Sequence, residues 1–117
     1  VAEIEADRFA AVRQLQEKYA GVVVLKGPGT LIAGPGELIK VCPYGNPAMA
    51  TAGMGDILSG VIGALIAQGF DLQTAAELGC CLHSSAADMA VEELGSRGLV
   101  ATDILPYINR LLNQEYL

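Results

Sequence analysis

Asn46-Pro47-Ala48-Met49-Ala50-Thr51-Ala52-Gly53-Met54-Gly55-Asp56 runs directly into Ile57-Leu58-Ser59-Gly60-Val61-Ile62. A loop of small residues ending in Gly-x-Gly-Asp thus meets an apolar segment that reads as a helix starting at Ile57. Glycine takes positive φ and lets a ligand approach the backbone closely, and both Gly53 and Gly55 are expected to serve in this way. The free N–H groups of a helix start converge on one point of partial positive charge, which suits a phosphate oxygen. A carboxylate at Asp56 fits beside such a site if it holds a cation or takes a proton from a hydroxyl undergoing phosphorylation. The plainer reading is a helix N-terminus, with Gly making the turn and Asp complementing the dipole.

Outward from this stretch, Val22-Val23-Val24-Leu25 is an apolar run without polar alternation. It suits a strand covered on both faces, as in a parallel sheet. Lys26-Gly27-Pro28-Gly29-Thr30 ends it, at the strand terminus where open α/β sheets bind ligands. Lys26 there suits a nucleotide phosphate, and the glycines with Thr30 offer close backbone and hydroxyl contacts. The segment lacks the spacing of a Walker loop, and a Pro-Gly turn with a solvated Lys is the alternative. Leu31-Ile32-Ala33, the turn Gly34-Pro35-Gly36 and Leu38-Ile39-Lys40-Val41 read as a hairpin, and Pro43 to Pro47 as loop.

The remaining periodic segments are helical. Ala2 to Tyr19 is an amphipathic helix without a clear cap, ending near Gly21. Ile57 to Gln68 stops at Gly69, and its small residues Ser59, Gly60, Gly63 and Ala64 suit a helix pressed onto a sheet. Asp71 caps a helix running to about Glu93. Thr102 reads as the N-cap of a last helix through Leu112, with Pro106 tolerated in its early turns. His83 reads as a core or interface residue, Asp88 as a solvated residue or polar anchor, and Asp103 as a first-turn helix acid.

Composition narrows the class. The 117 residues are 52% hydrophobic and 17% charged, with a net charge of −6. No Lys/Arg cluster marks a nucleic-acid footprint. No apolar run free of breakers reaches the roughly 18 residues of a membrane span. The apolar excess points to burial against other protein. Cys42, Cys80 and Cys81 show no metal-ligand spacing, so free thiols in a reducing cytoplasm are expected. Strand, hairpin and helices in this order make an α/β layer protein, with few strands for its helices to cover.

Val22–Thr30, Gly45–Gly60, His83, Ala86, Asp88 and Gly98–Ile104 together resemble the ADP/ATP-dependent NAD(P)H-hydrate dehydratases of the ribokinase-like superfamily. The Asn-Pro-x-Met-Ala-Thr-x-Gly-Met-Gly-Asp wording separates these from sugar kinases. The resemblance implies a three-layer sandwich of which residues 1–117 form the C-terminal part. It implies repair of hydrated NADH and NADPH, by phosphorylating the hydrate hydroxyl from ADP or ATP with Mg²⁺ and then eliminating phosphate. It places Lys26, Gly27, Pro28, Gly29 and Thr30, with Asn46, Pro47, Ala48, Met49, Ala50, Thr51, Ala52, Gly53, Met54 and Gly55, on the nucleotide. Asp56 would contact the hydrate and act as base. It also implies a homotetramer.

The sequence departs from the family's His-Gly-x-Ala-Gly-Asp helix, reading His83-Ser84-Ser85-Ala86-Ala87-Asp88. The family's domain is more than twice this length, so the 117 residues alone are expected to lack dehydratase activity. A ribokinase-like kinase of a small alcohol, or a non-catalytic nucleotide-binding module, are the other readings.

Overall fold

The computed structural model describes residues 7–113. In chain order they form α1 (Arg8–Tyr19), β1 (Val23–Leu25), β2 (Leu31–Ala33), β3 (Lys40–Val41), a 3-10 turn (Pro47–Met49), α2 (Met54–Ala67), α3 (Leu72–Leu94), a second 3-10 turn (Ala101–Ile104) and α4 (Leu105–Leu112).

The sheet is antiparallel, in the order β1-β2-β3. Val24 pairs with Ile32, and Ile32 with Lys40. Side chains alternate across a strand, and β2 uses both faces. Leu31 and Ala33 pack with Val12 of α1, while Ile32 packs with Leu58 of α2 and Ala76 and Cys80 of α3. The result is a helix layer, a small sheet and a second helix layer. Burying Leu31 and Ile32 contributes about 1.5–3 kcal/mol each.

The strand covered on both faces is therefore β2, not residues 22–25. Val23 to Leu25 are only half-buried, and β1 pairs with β2 alone among the described residues. Both runs are apolar and short, so composition does not distinguish them. The outer strand of the hairpin is also shorter than expected, because Leu38 is 82% exposed and pairing is confined to Lys40 and Val41.

Helix ends follow capping chemistry, with three shifts. Asp7 caps α1, its carboxylate accepting from the Ala10 N–H at 3.0 Å; the expected start at Ala2 lies outside the described residues. Asp71 caps α3 as expected, accepting from the Thr74 N–H at 2.8 Å. Helix α2 starts at Met54 rather than Ile57. Gly53, at φ 91°, turns the chain, and its carbonyl accepts the Ile57 N–H at 3.1 Å. The last helix is not capped by Thr102. The Asp103 carboxylate accepts from the Val100 N–H at 2.9 Å, which starts a 3-10 turn, and α4 follows with Pro106 in its first turn.

Helices α2 and α3 meet through small residues, but not those of α2. Gly60 and Gly63 face open space, whereas a Cβ on Gly79 of α3 would lie 2.6 Å from Ile62 Cγ1. Ala86, Ala87 and Ala90 of α3 admit Ile104, Tyr107 and Ile108 to the largest core cluster, which also holds Met54. The N-terminus of α2 is thereby seated on the core.

Candidate active site

A cleft of ≈ 870 Å³ opens between the β1–β2 loop, the segment after β3, the start of α2 and the middle of α3. That volume lies in the range of about 300–1,000 Å³ usual for small-molecule sites. Its walls bring together Lys26, Gly27, Pro28, Gly29 and Thr30 with Asn46, Pro47, Met49, Ala50, Thr51, Met54 and Gly55. Two stretches well separated in the sequence are thus one site. Ala48, Ala52 and Gly53 do not line it, and neither does Asp56, which is exposed in the first turn of α2.

The two glycines do different work. Gly53 takes the positive φ expected of it. Gly55 does not; it is helical, and a Cβ there would collide with Lys26 Nζ. The Lys26 ammonium therefore lies against the first turn of α2, where unpaired N–H groups already favour an anion. The β1–β2 loop is held from α1. The Arg8 guanidinium donates to the carbonyls of Leu25 and Gly29, each at 3.2 Å, and to that of Pro28. Arg13 holds the β2–β3 turn in the same way, through the carbonyls of Gly34 at 3.1 Å and Glu37 at 2.6 Å.

Several lining residues were not among those anticipated from the motifs: Cys42, Tyr44, Gly45, Leu58, Cys80, His83 and Ser84. Gly45 adjoins the motif and was the one within reach of local reading. His83 is buried, as expected, and also walls the cleft. Burial pushes its pKa below the ordinary histidine range; a backbone hydrogen bond to Met54 opposes this and the Lys26 charge reinforces it. At neutral pH the ring is uncharged, and Nε2 has no hydrogen-bond partner among the described residues. Asp88 is a polar anchor, bonded to Gly45 and Asn46.

The three cysteines are free thiols, with Cys42 and Cys80 buried. Burial, then the neighbouring Cys42 and Cys81, push the Cys80 pKa up to about 12. The thiolate is the reactive form. Iodoacetamide at mildly alkaline pH is accordingly expected to leave Cys80 unmodified in the folded protein and to label it in denaturant, as read by peptide mass spectrometry. Labelling of the folded chain at Cys80 would contradict that burial.

Among the described residues no group of three or more His, Cys, Asp or Glu is placed to hold a metal ion. The cleft offers a cation, a helix N-terminus and small-residue walls, a donor set for phosphates.

The model for NAD(P)H-hydrate dehydratases (Carb_kinase) matches residues 1–110. The bifunctional NAD(P)H-hydrate repair enzyme Nnr of Coxiella burnetii is 58% identical over 111 residues, covering 95% of this chain and 23% of that protein. The ADP-dependent (S)-NAD(P)H-hydrate dehydratase of Neisseria meningitidis is 46% identical over 115 residues, covering 97% of this chain and 39% of its own length. The fold is similar to the ADP/ATP-dependent NAD(P)H-hydrate dehydratase of Bacillus subtilis co-crystallised with ATP/Mg²⁺. That match has a TM-score of 0.88 and 28% identity over 95% of this chain and 40% of that one. The chain spans well under half the length of each of these relatives. From its motifs, its layered fold and these matches, the chain belongs to the NAD(P)H-hydrate dehydratase family.

Proposed function

We propose that residues 1–117 form the C-terminal part of a ribokinase-like dehydratase domain and supply the nucleotide side of its active site. The domain would repair hydrated NADH and NADPH with ADP or ATP as phosphoryl donor. The observation that carries this reading is the Lys26 ammonium packed against Gly55, in the wall of the cleft and at the start of α2. A cation and a helix N-terminus converging on one corner favour a nucleotide's phosphate groups.

In the proposed reaction, Asp56 takes the proton of the hydrate hydroxyl as its oxygen attacks the terminal phosphorus. The bond from that phosphorus to the rest of the nucleotide breaks, and Lys26 and the N–H groups of α2 hold the charge that develops. Loss of the new phosphate ester as inorganic phosphate, with a proton from the adjacent carbon, restores the double bond. Mg²⁺, carried on the nucleotide phosphates, would neutralise their charge. Asp56 stands outside the nucleotide cleft, so the hydroxyl would reach α2 from the rim.

Calorimetric titration of the chain with Mg·ADP and Mg·ATP tests the nucleotide side directly. Binding of at least one is expected, and Lys26→Met should weaken it about 10–100-fold, the effect of losing a charged hydrogen-bond partner. Absence of binding of either nucleotide at millimolar concentration would sink the reading.

Assembly into a homo-oligomer and a cytoplasmic location are proposed with it. Phe9 and Tyr19 on α1, and Ile66 and Leu72 near the α2–α3 junction, are exposed apolar side chains suited to burial by other protein. No helix among the described residues is long and apolar enough to cross a membrane.

A further inference from the structure

The segment from Gly45 to Thr51 forms one wall of the cleft, and within it Ala48 and Met49 pack, half-buried, against the largest core cluster. Pro47, Met49, Ala50 and Thr51 line the cleft, and none of the residues of the 3-10 turn is fully buried. Beside that packing, a relay of hydrogen bonds that starts on α3 ties the wall down. Asp88 Oδ2 accepts the Gly45 N–H at 3.1 Å, and Oδ1 accepts Asn46 Nδ2 at 2.8 Å. Asn46 passes the constraint on, its Oδ1 accepting the Ala48 N–H at 3.0 Å. The Thr51 hydroxyl then donates to the Ala48 carbonyl at 2.7 Å.

We propose that Asp88 is a positioning residue that latches the Gly45–Thr51 wall to α3 and so presets the path of its backbone for the nucleotide. The role rests on the nucleotide reading of the cleft. Two donors face the two carboxylate oxygens, so neither an amide nor a hydroxyl can satisfy both. Helix α3, capped at both ends and built into three core clusters, is the rigid frame. Hydrogen bonds to a charged partner are the stronger kind, and a preset wall spares the cost of ordering it on binding.

Exchanging the two side chains tests this latch. Asp88→Asn leaves one amide N–H facing another, and Asn46→Asp sets two carboxylates against each other. The double exchange restores all three bonds. The carboxylate introduced at position 46 accepts from the Ala48 N–H and from the amide nitrogen introduced at position 88. The oxygen of that same amide accepts the Gly45 N–H.

Amide hydrogen exchange in the nucleotide-free chain is expected to show at least about tenfold faster exchange at Gly45 or Ala48 in D88N. Mg·ADP affinity should fall by a similar factor. The N46D/D88N variant should regain protection and bind Mg·ADP more tightly than N46D alone. Unchanged protection in D88N, or a double variant no better than the worse single one, would overturn the latch. Should D88N fail to fold, the double variant decides. Recovered folding and protection support the proposal, and a double variant that is unfolded or unprotected counts against it. A wild-type chain that protects Gly45 but does not bind Mg·ADP would instead break the nucleotide reading, which separates the two failures.

Discussion

Replacing Asp56 by Asn in the intact dehydratase domain is expected to slow NAD(P)H-hydrate dehydration by about 10²–10⁴-fold, the usual worth of a positioned general base. Nucleotide affinity should move little, and in the opposite sense if at all. Asp56 lies in the first turn of α2, one residue beyond Gly55, where Lys26 is seated. Removing its negative charge there would favour a polyphosphate rather than weaken it. The signature is thus a loss confined to kcat with Mg·ADP binding retained, measured by NADH absorbance and by calorimetry on the same preparation. Retention of more than about a tenth of the rate would leave Asp56 as a helix-start acid and nothing more.

Ile104→Ala should cost about 2–5 kcal/mol, the range for truncating a fully buried aliphatic side chain. Ile104 is 0% exposed, wedged between the alanine face of α3 and Tyr107 and Ile108 of α4, in the cluster that also holds Met54. Against a total of about 5–15 kcal/mol for a domain, this is a large fraction. Thermal unfolding followed by circular dichroism is expected to shift down by about 10 °C or more. Leu38→Ala, at a side chain 82% exposed, is the control and should shift much less. Comparable shifts for the two would mean that the core is not organised around Ile104. Because Met54 rests on the same cluster, loosening at Ile104 should also disorder the first turn of α2, which hydrogen exchange at Ile57 would report.

What could be read in advance was local. Asp71 announced a helix because its side chain reaches only three residues forward, and Pro106 marked a first turn because it donates no N–H. The loop Lys26–Thr30 and the motif before Asp56 were each recognisable, and the cleft joins them. Which of two short apolar strands lies in the middle depended on partners from α1, α2 and α3, none of them adjacent. The contacts that hold the walls were the least visible. Asp88 acts on residues 42 and 43 positions away, and Arg8 on carbonyls 17 to 21 positions away. No pattern of spacing announces such pairs. The small residues of α2 misled for a related reason: smallness allows close packing but does not say which side of the helix is used.

The manner in which Arg8 grips the Lys26–Thr30 loop has a consequence for how this protein can change. Its bonds go to the main-chain carbonyls of Leu25, Pro28 and Gly29 and to no side chain of the loop. Arg8 thus fixes the loop through its backbone, and the loop's own side chains add one bond, the Thr30 hydroxyl donating to the Gly27 carbonyl at 3.2 Å. Substitution at Pro28 can therefore alter the lining of the cleft while the backbone stays where α1 holds it. Variation there is decoupled from foldability. A single change at Arg8, remote in sequence from the cleft, would remove that freedom at a stroke.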